Sequence, residues 1–194
     1  MSLSLRKGGA ISLSKEAPGL KKVLVGLGWQ ENSAGGLDFD LDASAFMLTG
    51  PKVRDDSRFV FYGQRVSSCS SVLHHGDNQT GATDQGETDS EVVEVDLTAV
   101  PGDVDRIVFV VTIHEAEQRR QNFGQVEDAY IRVVSAENSR EILRFDLTER
   151  FSSETAVEFG EVYREGADWK FRALAAGASG GLHAMCKRFG VNVD

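Results

Sequence analysis

Short runs of alternating hydrophobic and polar residues dominate the chain. In "KVLVGLG" (22–28) and "VVEVDL" (92–97), apolar side chains return at every second position, as on a strand with one buried face. Gly, Asn, Asp and Ser clusters separate these runs, so the pattern predicts an all-β, antiparallel β-sandwich of about ten or more strands. The predicted strands are 2–6, 10–14, 22–28, 38–48, 58–62, 71–75, 92–97, 106–113, 129–135, 141–147, 157–163 and 169–175.

Two segments have a helical pattern instead. Residues 115–121 are polar throughout and predict a short helix between strands. Near the end of the chain, Leu182, Met185, Cys186 and Phe189 recur with the spacing of one helix face, which predicts a short C-terminal helix packed on the sheet, with Gly190 as its C-cap. The sequence contains no repeat or linker, so residues 1–194 are expected to form a single domain.

The charge of the chain is concentrated in one segment. The formal net charge is −9, which argues against nucleic acid as a partner because phosphate contacts need clustered Lys and Arg. Residues 66–105 contain nine acids and no Lys or Arg, whereas the rest of the chain balances 21 acids with 21 bases. The imbalance therefore indicates a local function.

Other sequence features bear on location. The first residues lack the apolar stretch of a signal peptide, and the run "IVFVV" (107–111) is too short to cross a bilayer. Because the chain has only two cysteines, we do not expect a disulfide framework. These features predict a cytoplasmic protein with no transmembrane segment.

Three carboxylates alternate with apolar residues in "DFDLDAS" (38–44). On a strand, Asp38, Asp40 and Asp42 would point the same way, roughly 7 Å apart, and neighbouring charges would repel by roughly 2.4 kcal/mol. No Lys or Arg lies between Lys22 and Lys52 to offset this repulsion. A bound cation is therefore expected at this strand.

The second half of the predicted cation site is the loop "GDNQTGATDQGETDSE" (76–91). Its carboxylate, amide and backbone oxygens suit Ca²⁺, which accepts 6–8 oxygen ligands, better than Mg²⁺ or Zn²⁺. The strand is not an EF-hand, because Ala43 and Thr49 stand where that loop needs Gly and Glu. The alternative from spacing alone is a solvated acidic loop beside a partly exposed strand.

Several ordered motifs together resemble the TerD family of tellurium-resistance and stress-response proteins, in its TerD and TerE branch. They are "GLGW" (26–29), "FDLDASAF" (39–46), "HHGDNQTG" (74–81), "QNFGQVEDAYIRV" (121–133) and "GEVYR" (160–164) with "WKFRA" (169–173). The resemblance implies a calcium-binding β-sandwich that holds one or two ions and carries no catalytic residues. It also implies a role in bacterial tellurite and chemical-stress resistance, with other tellurium-resistance proteins as partners at the inner membrane face and a peripheral position there.

The family motifs assign most of the expected metal ligands. The DLD element falls on Asp40 and Asp42, the GDN element on Asp77 and Asn78, and a second acidic cluster on Asp89 and Glu91. In that cluster Ser90 replaces an acid, for which Asp84 and Glu87 are expected to compensate, and Gln30 replaces an Asp after "GLGW". With Asp38 added from the strand spacing, the predicted ligands are Asp38, Asp40, Asp42, Asp77, Asn78, Asp84, Asp89 and Glu91.

The predicted function is therefore that of a non-enzymatic Ca²⁺-binding protein of a bacterial resistance system. Two alternatives stay open: a calcium-dependent binder of a membrane surface or small anionic ligand, and a metal-assisted hydrolase. A zinc site at Cys69, His74 and His75, and an acid–base pair at His114 and Glu115, are weaker candidates. Structural roles are predicted for the packed Cys186, the core residues Trp29, Trp169 and Phe171, and the loop-closing pair Asn122 and Gln125.

Overall fold

Two β-sheets pack face to face in the computed structural model, which describes residues 2–30, 37–76, 89–149 and 151–192. In chain order the strands are β1 (Leu3–Ser4), β2 (Ala10–Ser12), β3 (Lys22–Gly28), β4 (Leu41–Thr49), β5 (Lys52–Val53), β6 (Phe59–Val60), β7 (Val72–His74), β8 (Glu91–Asp96), β9 (Arg106–Ile113), β10 (Tyr130–Ser135), β11 (Glu141–Asp146), β12 (Ala156–Glu165) and β13 (Asp168–Ala178). The helices are α1 (Leu13–Glu16), α2 (Ala116–Arg119) and α3 (Gly181–Phe189), and 3₁₀ turns cover Asp56–Arg58 and Phe123–Gln125.

The strand order defines the sandwich. The first sheet runs β1-β11-β10-β3-β8-β7, and the second runs β2-β13-β12-β9-β4-β5 with β6 also paired to β4. Among the described strands, the pairings are antiparallel except the short contact between β1 and β11. The predicted antiparallel β-sandwich with a short C-terminal helix is confirmed.

Strand β4 is buried on both faces, which explains its nearly continuous apolar sequence. Leu41 and Ala43 point into the core between the sheets, whereas Phe46 points outward and packs against Phe189 of α3. Asp42 lies on the same outer face as Phe46, because side chains two or four positions apart share a face. Its carboxylate is thus carried by a strand that offers little contact with water.

Several predicted local features are confirmed. Met185, Cys186 and Phe189 of α3 are buried, and Gly190 ends the helix with φ +79°. Asn122 accepts from the Gly124 amide at 2.9 Å, and Gln125 accepts from the Asn122 amide at 2.8 Å, which closes the 3₁₀ turn as predicted. Trp29, Trp169 and Phe171 are core residues.

Two predicted strands differ from the structure. Strand 38–48 begins only at Leu41, so Asp38 and Asp40 precede the strand; Asp38 is exposed, whereas Asp40 and Asp42 are buried. Segment 10–14 divides into β2 and α1, because the Ser12 side chain accepts from the Lys15 amide at 3.2 Å and caps a helical turn. Periodicity alone does not detect such a cap.

The described residues contain no helix that is long and apolar enough to span a bilayer.

Candidate metal site at one end of the sandwich

Four strand ends meet at the end of the sandwich where the acidic motifs lie. Strand β4 begins beside the end of β9, with Leu41 opposite Ile113. Strands β7 and β8 belong to the other sheet, and the Ala43 amide donates to Glu91 Oε2 at 2.5 Å. This bond links the two sheets and places the Glu91 carboxylate beside the residue that follows Asp42.

Asp40 and Asp42 are both buried at this end, with 7% and 6% of their surface exposed. His114 Nδ1 lies 3.6 Å from Asp42 Oδ2, and Arg119 Nη2 of α2 lies 3.5 Å from Asp40 Oδ2. The Asp40 carbonyl also accepts from the His114 amide at 2.8 Å, which fixes the chain just before β4. The predicted short helix therefore carries a positive charge to one of the predicted ligands.

Glu91 is 2% exposed and faces the fully buried His74 at the end of β7. His74 Nδ1 accepts from the Gly76 amide at 3.2 Å, so in the neutral ring Nε2 carries the proton. His74 Nε2 lies 3.5 Å from Glu91 Oε2. The sequence placed His74 correctly at a strand end, but its orientation toward a predicted metal ligand became visible only in the fold.

In the described part of the chain, the ion pairs of Asp40, Asp42 and Glu91 involve one arginine and two histidines. Burying a carboxylate is costly unless positive charge or hydrogen bonds compensate. Each of these three buried carboxylates thus has a basic side chain within 3.6 Å.

Asp89 lies away from this group, on the outer face of the first sheet. Arg132 donates to both Asp89 oxygens, from Nε at 2.7 Å and from Nη2 at 2.8 Å, and the Tyr130 hydroxyl donates at 3.1 Å. A Cβ on Gly26 would come within 2.1 Å of Asp89 Oδ2, so glycine is required beneath this ion pair. Asp89 and Glu91 thus point to opposite faces although both were predicted as ligands.

The Asp89 cluster also changes proton affinities. Burial, followed by the negative charge of Asp89, raises the pKa of Tyr130 to about 12. The hydrogen bond to Asp89 raises the pKa of Arg132, which stays fully charged. The geometry of Asp89 is that of a partner in a structural ion pair.

Four of the residues named in the sequence analysis, Asp77, Asn78, Asp84 and Glu87, lie outside the described residues. The chain on either side of them is fixed at this end of the sandwich: the His75 amide donates to the Val92 carbonyl at 2.9 Å, and the Ser90 amide donates to the Leu27 carbonyl at 2.7 Å. The described residues on both sides of segment 77–88 therefore lie next to the start of β8, where Glu91 is located. The described residues alone contain no group of three His, Cys, Asp or Glu side chains suited to a metal, so ligands from 77–88 would be needed.

Asp38, the remaining predicted ligand, is exposed, and its backbone contacts a residue that the sequence analysis did not single out. Gln121 Nε2 donates to the Leu37 carbonyl at 2.9 Å and to the Asp38 carbonyl at 3.2 Å. Gln121 is 8% exposed, and among the described residues its buried Oε1 has no hydrogen-bond donor.

A cleft of about 310 Å³ opens beside Asp42. His114 and Glu115 line one side, and His183 and Gly181 at the start of α3 line the other. The Gly181 amide donates to Thr155 Oγ1 at 3.0 Å, which fixes the helix start against β12. Asp42 is therefore largely buried and at the same time lines this surface cleft.

The residues of the weaker zinc and acid–base candidates contact other side chains. Cys69 lies in a turn within hydrogen-bond reach of the Ser67 and Ser71 hydroxyls, and His74 faces Glu91. His114 Nε2 is 4.0 Å from Glu115 Oε1. Among the described residues, these side chains do not belong to a group of three His, Cys, Asp or Glu that could hold a metal ion.

Comparison with known proteins agrees with the fold and the motifs. A model of the TerD domain matches residues 1–189. The chain belongs to the TerD family. Tellurium resistance protein TerD of Serratia marcescens is 55% identical to this TerD-family chain, with 100% of both chains covered. General stress protein 16U of Bacillus subtilis is 49% identical, again over 100% of both chains.

A solved structure supports the TerD fold assignment. A Streptomyces coelicolor homologue of telluride resistance protein (TerD) superposes with a TM-score of 0.68 at 24% sequence identity. The match covers 86% of this chain and 95% of that one. At this identity the likeness establishes the architecture.

Proposed function

We propose that this TerD-family protein is a non-enzymatic Ca²⁺-binding protein of a bacterial tellurite and chemical-stress resistance system. The names of its full-length relatives, a tellurium resistance protein and a general stress protein, support the biological context. The observation that carries the calcium part is the burial of Asp40, Asp42 and Glu91 where the segment 77–88 leaves and returns.

The donor chemistry of this end fits Ca²⁺. Asp40, Asp42 and Glu91 provide hard carboxylate oxygens, and Asp77, Asn78 and Asp84 of the adjoining segment would add further oxygen ligands. Calcium tolerates irregular geometry and mixed carboxylate and amide donors, which suits ligands from two sheets and a connecting segment. Bound calcium would add its positive charge to that of the basic groups beside these carboxylates.

The role of the ion in this proposal is structural. Calcium joins acidic groups that are distant in sequence and fastens segment 77–88 to the sandwich. Ligand binding to the folded state adds RT ln(1 + [Ca]/Kd) to stability, which is about 2.7 kcal/mol at a hundredfold excess over Kd. The ordered surface then recruits a partner protein. We predict that this partner is another tellurium-resistance protein at the inner membrane face.

Thermal unfolding with calcium and with chelator tests the proposal. We expect millimolar calcium to raise the Tm of the parent protein by several degrees and Asp42→Asn to reduce that rise. Asp146→Asn, at an exposed carboxylate paired with Arg144, is the matched control and should respond like the parent. A parent shift below about 2 °C would contradict calcium binding.

Asp89→Asn separates two roles for that residue. Loss of the Arg132 ion pair predicts lower stability by a similar amount with and without calcium. A selective loss of the calcium response would instead restore Asp89 as a ligand. A normal calcium response in Asp42→Asn would show that Asp42 was assigned wrongly.

A second function is favoured by the cleft beside Asp42. A concave site of about 310 Å³ with His114 and His183 in its walls would admit a small anionic ligand next to the ion. Calorimetric titration of inorganic phosphate, with calcium and with chelator, tests this anion-binding function. Phosphate binding that requires calcium and is weakened by His183→Ala supports it. Absence of binding heat in both conditions rejects it. The hydrolase alternative predicts turnover of generic phosphate esters that Asp42→Asn abolishes, and we expect none.

A further inference from the structure

The cleft beside Asp42 has two walls of opposite electrostatic character, one at the start of α2 and one at the start of α3. We propose that the cleft binds a small zwitterion, namely a phosphate ester that also carries an ammonium group. This inference rests on the anion-binding function proposed for the same cleft, and it names the class of ligand. An anion alone would leave the acidic wall at α2 without a partner.

The floor of the cleft fixes where the two walls stand. Asp42 of β4 lies opposite Thr112 of β9, and the Ile113 amide donates to the Thr155 carbonyl at 3.1 Å. Thr155 Oγ1 in turn accepts from the Gly181 amide at 3.0 Å. This series of contacts places the start of α3 beside the end of β9, which leads directly into α2 on the other side of the cleft.

The α3 wall provides hydrogen-bond donors. Amides in the first turn of a helix lack partners within the helix and carry the positive end of its dipole. The N-cap of α3 is Gly180, which has no side chain that could accept from these amides. His183 lies in the same turn, is exposed, and lines the cleft with an imidazole that can donate an N–H. This wall therefore favours the phosphate end of the ligand.

The α2 wall provides carboxylates and, among the lining residues that the structure describes, neither wall contains a lysine or an arginine. Glu115 has Arg119 Nε 3.8 Å from its carboxylate, whereas Glu117 makes no ion pair with any residue that the structure describes. The Glu117 carboxylate would repel an isolated anion, but it would accept a charge-assisted hydrogen bond from an ammonium group. This wall therefore favours a positive charge on the same ligand.

The size and the aromatic lining of the cleft fit a compact ligand. Its volume of about 310 Å³ lies at the lower end of the range for small-molecule pockets, about 300–1,000 Å³. Tyr62 also lines the cleft and is 42% exposed, and the face of an aromatic ring attracts a cation. The cleft is thus suited to an aminoalkyl phosphate, in which the two charges are a few bonds apart.

Calorimetric titration with a matched pair of ligands tests this inference. Phosphoethanolamine and propyl phosphate have the same phosphate and chain length, and they differ in that an ammonium group replaces a methyl group. With calcium present, we expect phosphoethanolamine to bind about fivefold more tightly, because only its ammonium group can donate to Glu117. Ethanolamine, which lacks the phosphate, should bind more weakly than phosphoethanolamine.

Three variants assign the two ends of the ligand. Glu117→Gln should abolish the preference for phosphoethanolamine, whereas His183→Ala should weaken the binding of both phosphates by a similar factor and keep the preference. Glu16→Gln makes the same change of charge at an exposed position of α1, outside the cleft, and should bind like the parent.

The possible failures are distinguishable. Equal affinities of the parent for phosphoethanolamine and propyl phosphate would overturn the inference and leave anion binding intact. A preference that persists in Glu117→Gln would overturn the role of the α2 wall. A parent protein that binds none of the phosphates would reject the anion-binding function itself.

Discussion

Two acids separated by one residue contribute to different parts of the structure. Glu91 points into the core and accepts the Ala43 amide, whereas Asp89 points outward and pairs with Arg132. The alternation of side chains along β8 sends positions of the same parity to one face, but Asp89 precedes the strand and lies over Gly26. Residue identity alone therefore does not decide which acid joins a metal.

Tyr130 gives a pH-dependent prediction. Its folded pKa of about 12 lies above the ordinary value of 10, so between these values the unfolded state has lost the proton while the folded state keeps it. Stability contributed by the neutral phenol is complete below pH 10 and is lost as pH rises through the folded pKa, by about 1 kcal/mol at pH 11. Urea unfolding measures the free energy of unfolding between pH 10 and pH 12. We expect it to fall less steeply with pH in Tyr130→Phe than in the parent, and identical slopes would contradict the prediction.

The two thiols should differ in reactivity. Burial raises the pKa of Cys186 to about 11. Burial also opposes ionisation of Cys69, but hydrogen bonds from Ser67 and Ser71 outweigh it and lower the pKa of that thiol. With a thiol reagent near neutral pH, we expect Cys69 to react before Cys186. The Cys69→Ser variant should therefore resist labelling until it is unfolded. Rapid labelling of the folded variant would show that Cys186 is accessible.

At the scale of elements, α3 shows what a sequence pattern determines well. The apolar stripe predicts the face that packs on Phe46, and Gly190 ends the helix with a positive φ. Lys52 Nζ donates to the Arg188 carbonyl, which adds a cap from β5 that local patterning does not predict. Contacts within one turn are visible in the sequence, and contacts between distant strands are not.

Gly190→Ala should destabilise the protein by about 1 kcal/mol, because φ +79° strains any residue with a Cβ and the added atom would meet Lys52 at 3.0 Å. Gly102→Ala is the matched control, since its Cβ would meet nothing within 4 Å and its φ is not positive. Chemical denaturation measures both variants. Equal stability of the two would mean that the helix end relaxes without strain.

The same distinction explains the outcome for the other elements. The strands were predictable because alternation records which face is buried, whereas α1 depends on one Ser12 hydroxyl. Asn122 and Gln125 were predictable because their bonds are local. The approach of Glu91 to Ala43, and of Arg132 to Asp89, depends on how the strands of the sandwich pair and stack, so local sequence could not reveal which predicted ligands meet.

At the scale of the whole molecule, the acidic excess should make the calcium-free protein sensitive to salt. Residues 66–105 contain nine acids without Lys or Arg, and added salt screens repulsion among exposed charges. We expect sodium chloride to raise the Tm of the chelated protein more than that of the calcium-loaded protein. An equal rise in Tm for both forms would indicate that calcium does not neutralise this excess. In chelator, salt should raise the Tm of Asp42→Asn less than that of the parent.

The anchoring of both ends of segment 77–88 beside one strand has an evolutionary consequence. Because His75 bonds to Val92 and Ser90 bonds to Leu27, the closing distance is set by the sandwich and is independent of how many residues intervene. Loop-closure entropy rises slowly, by about 0.6 kcal/mol for each doubling of length. Insertions between these anchors are therefore inexpensive, and we expect natural variants of this segment to differ in length while the sandwich stays unchanged.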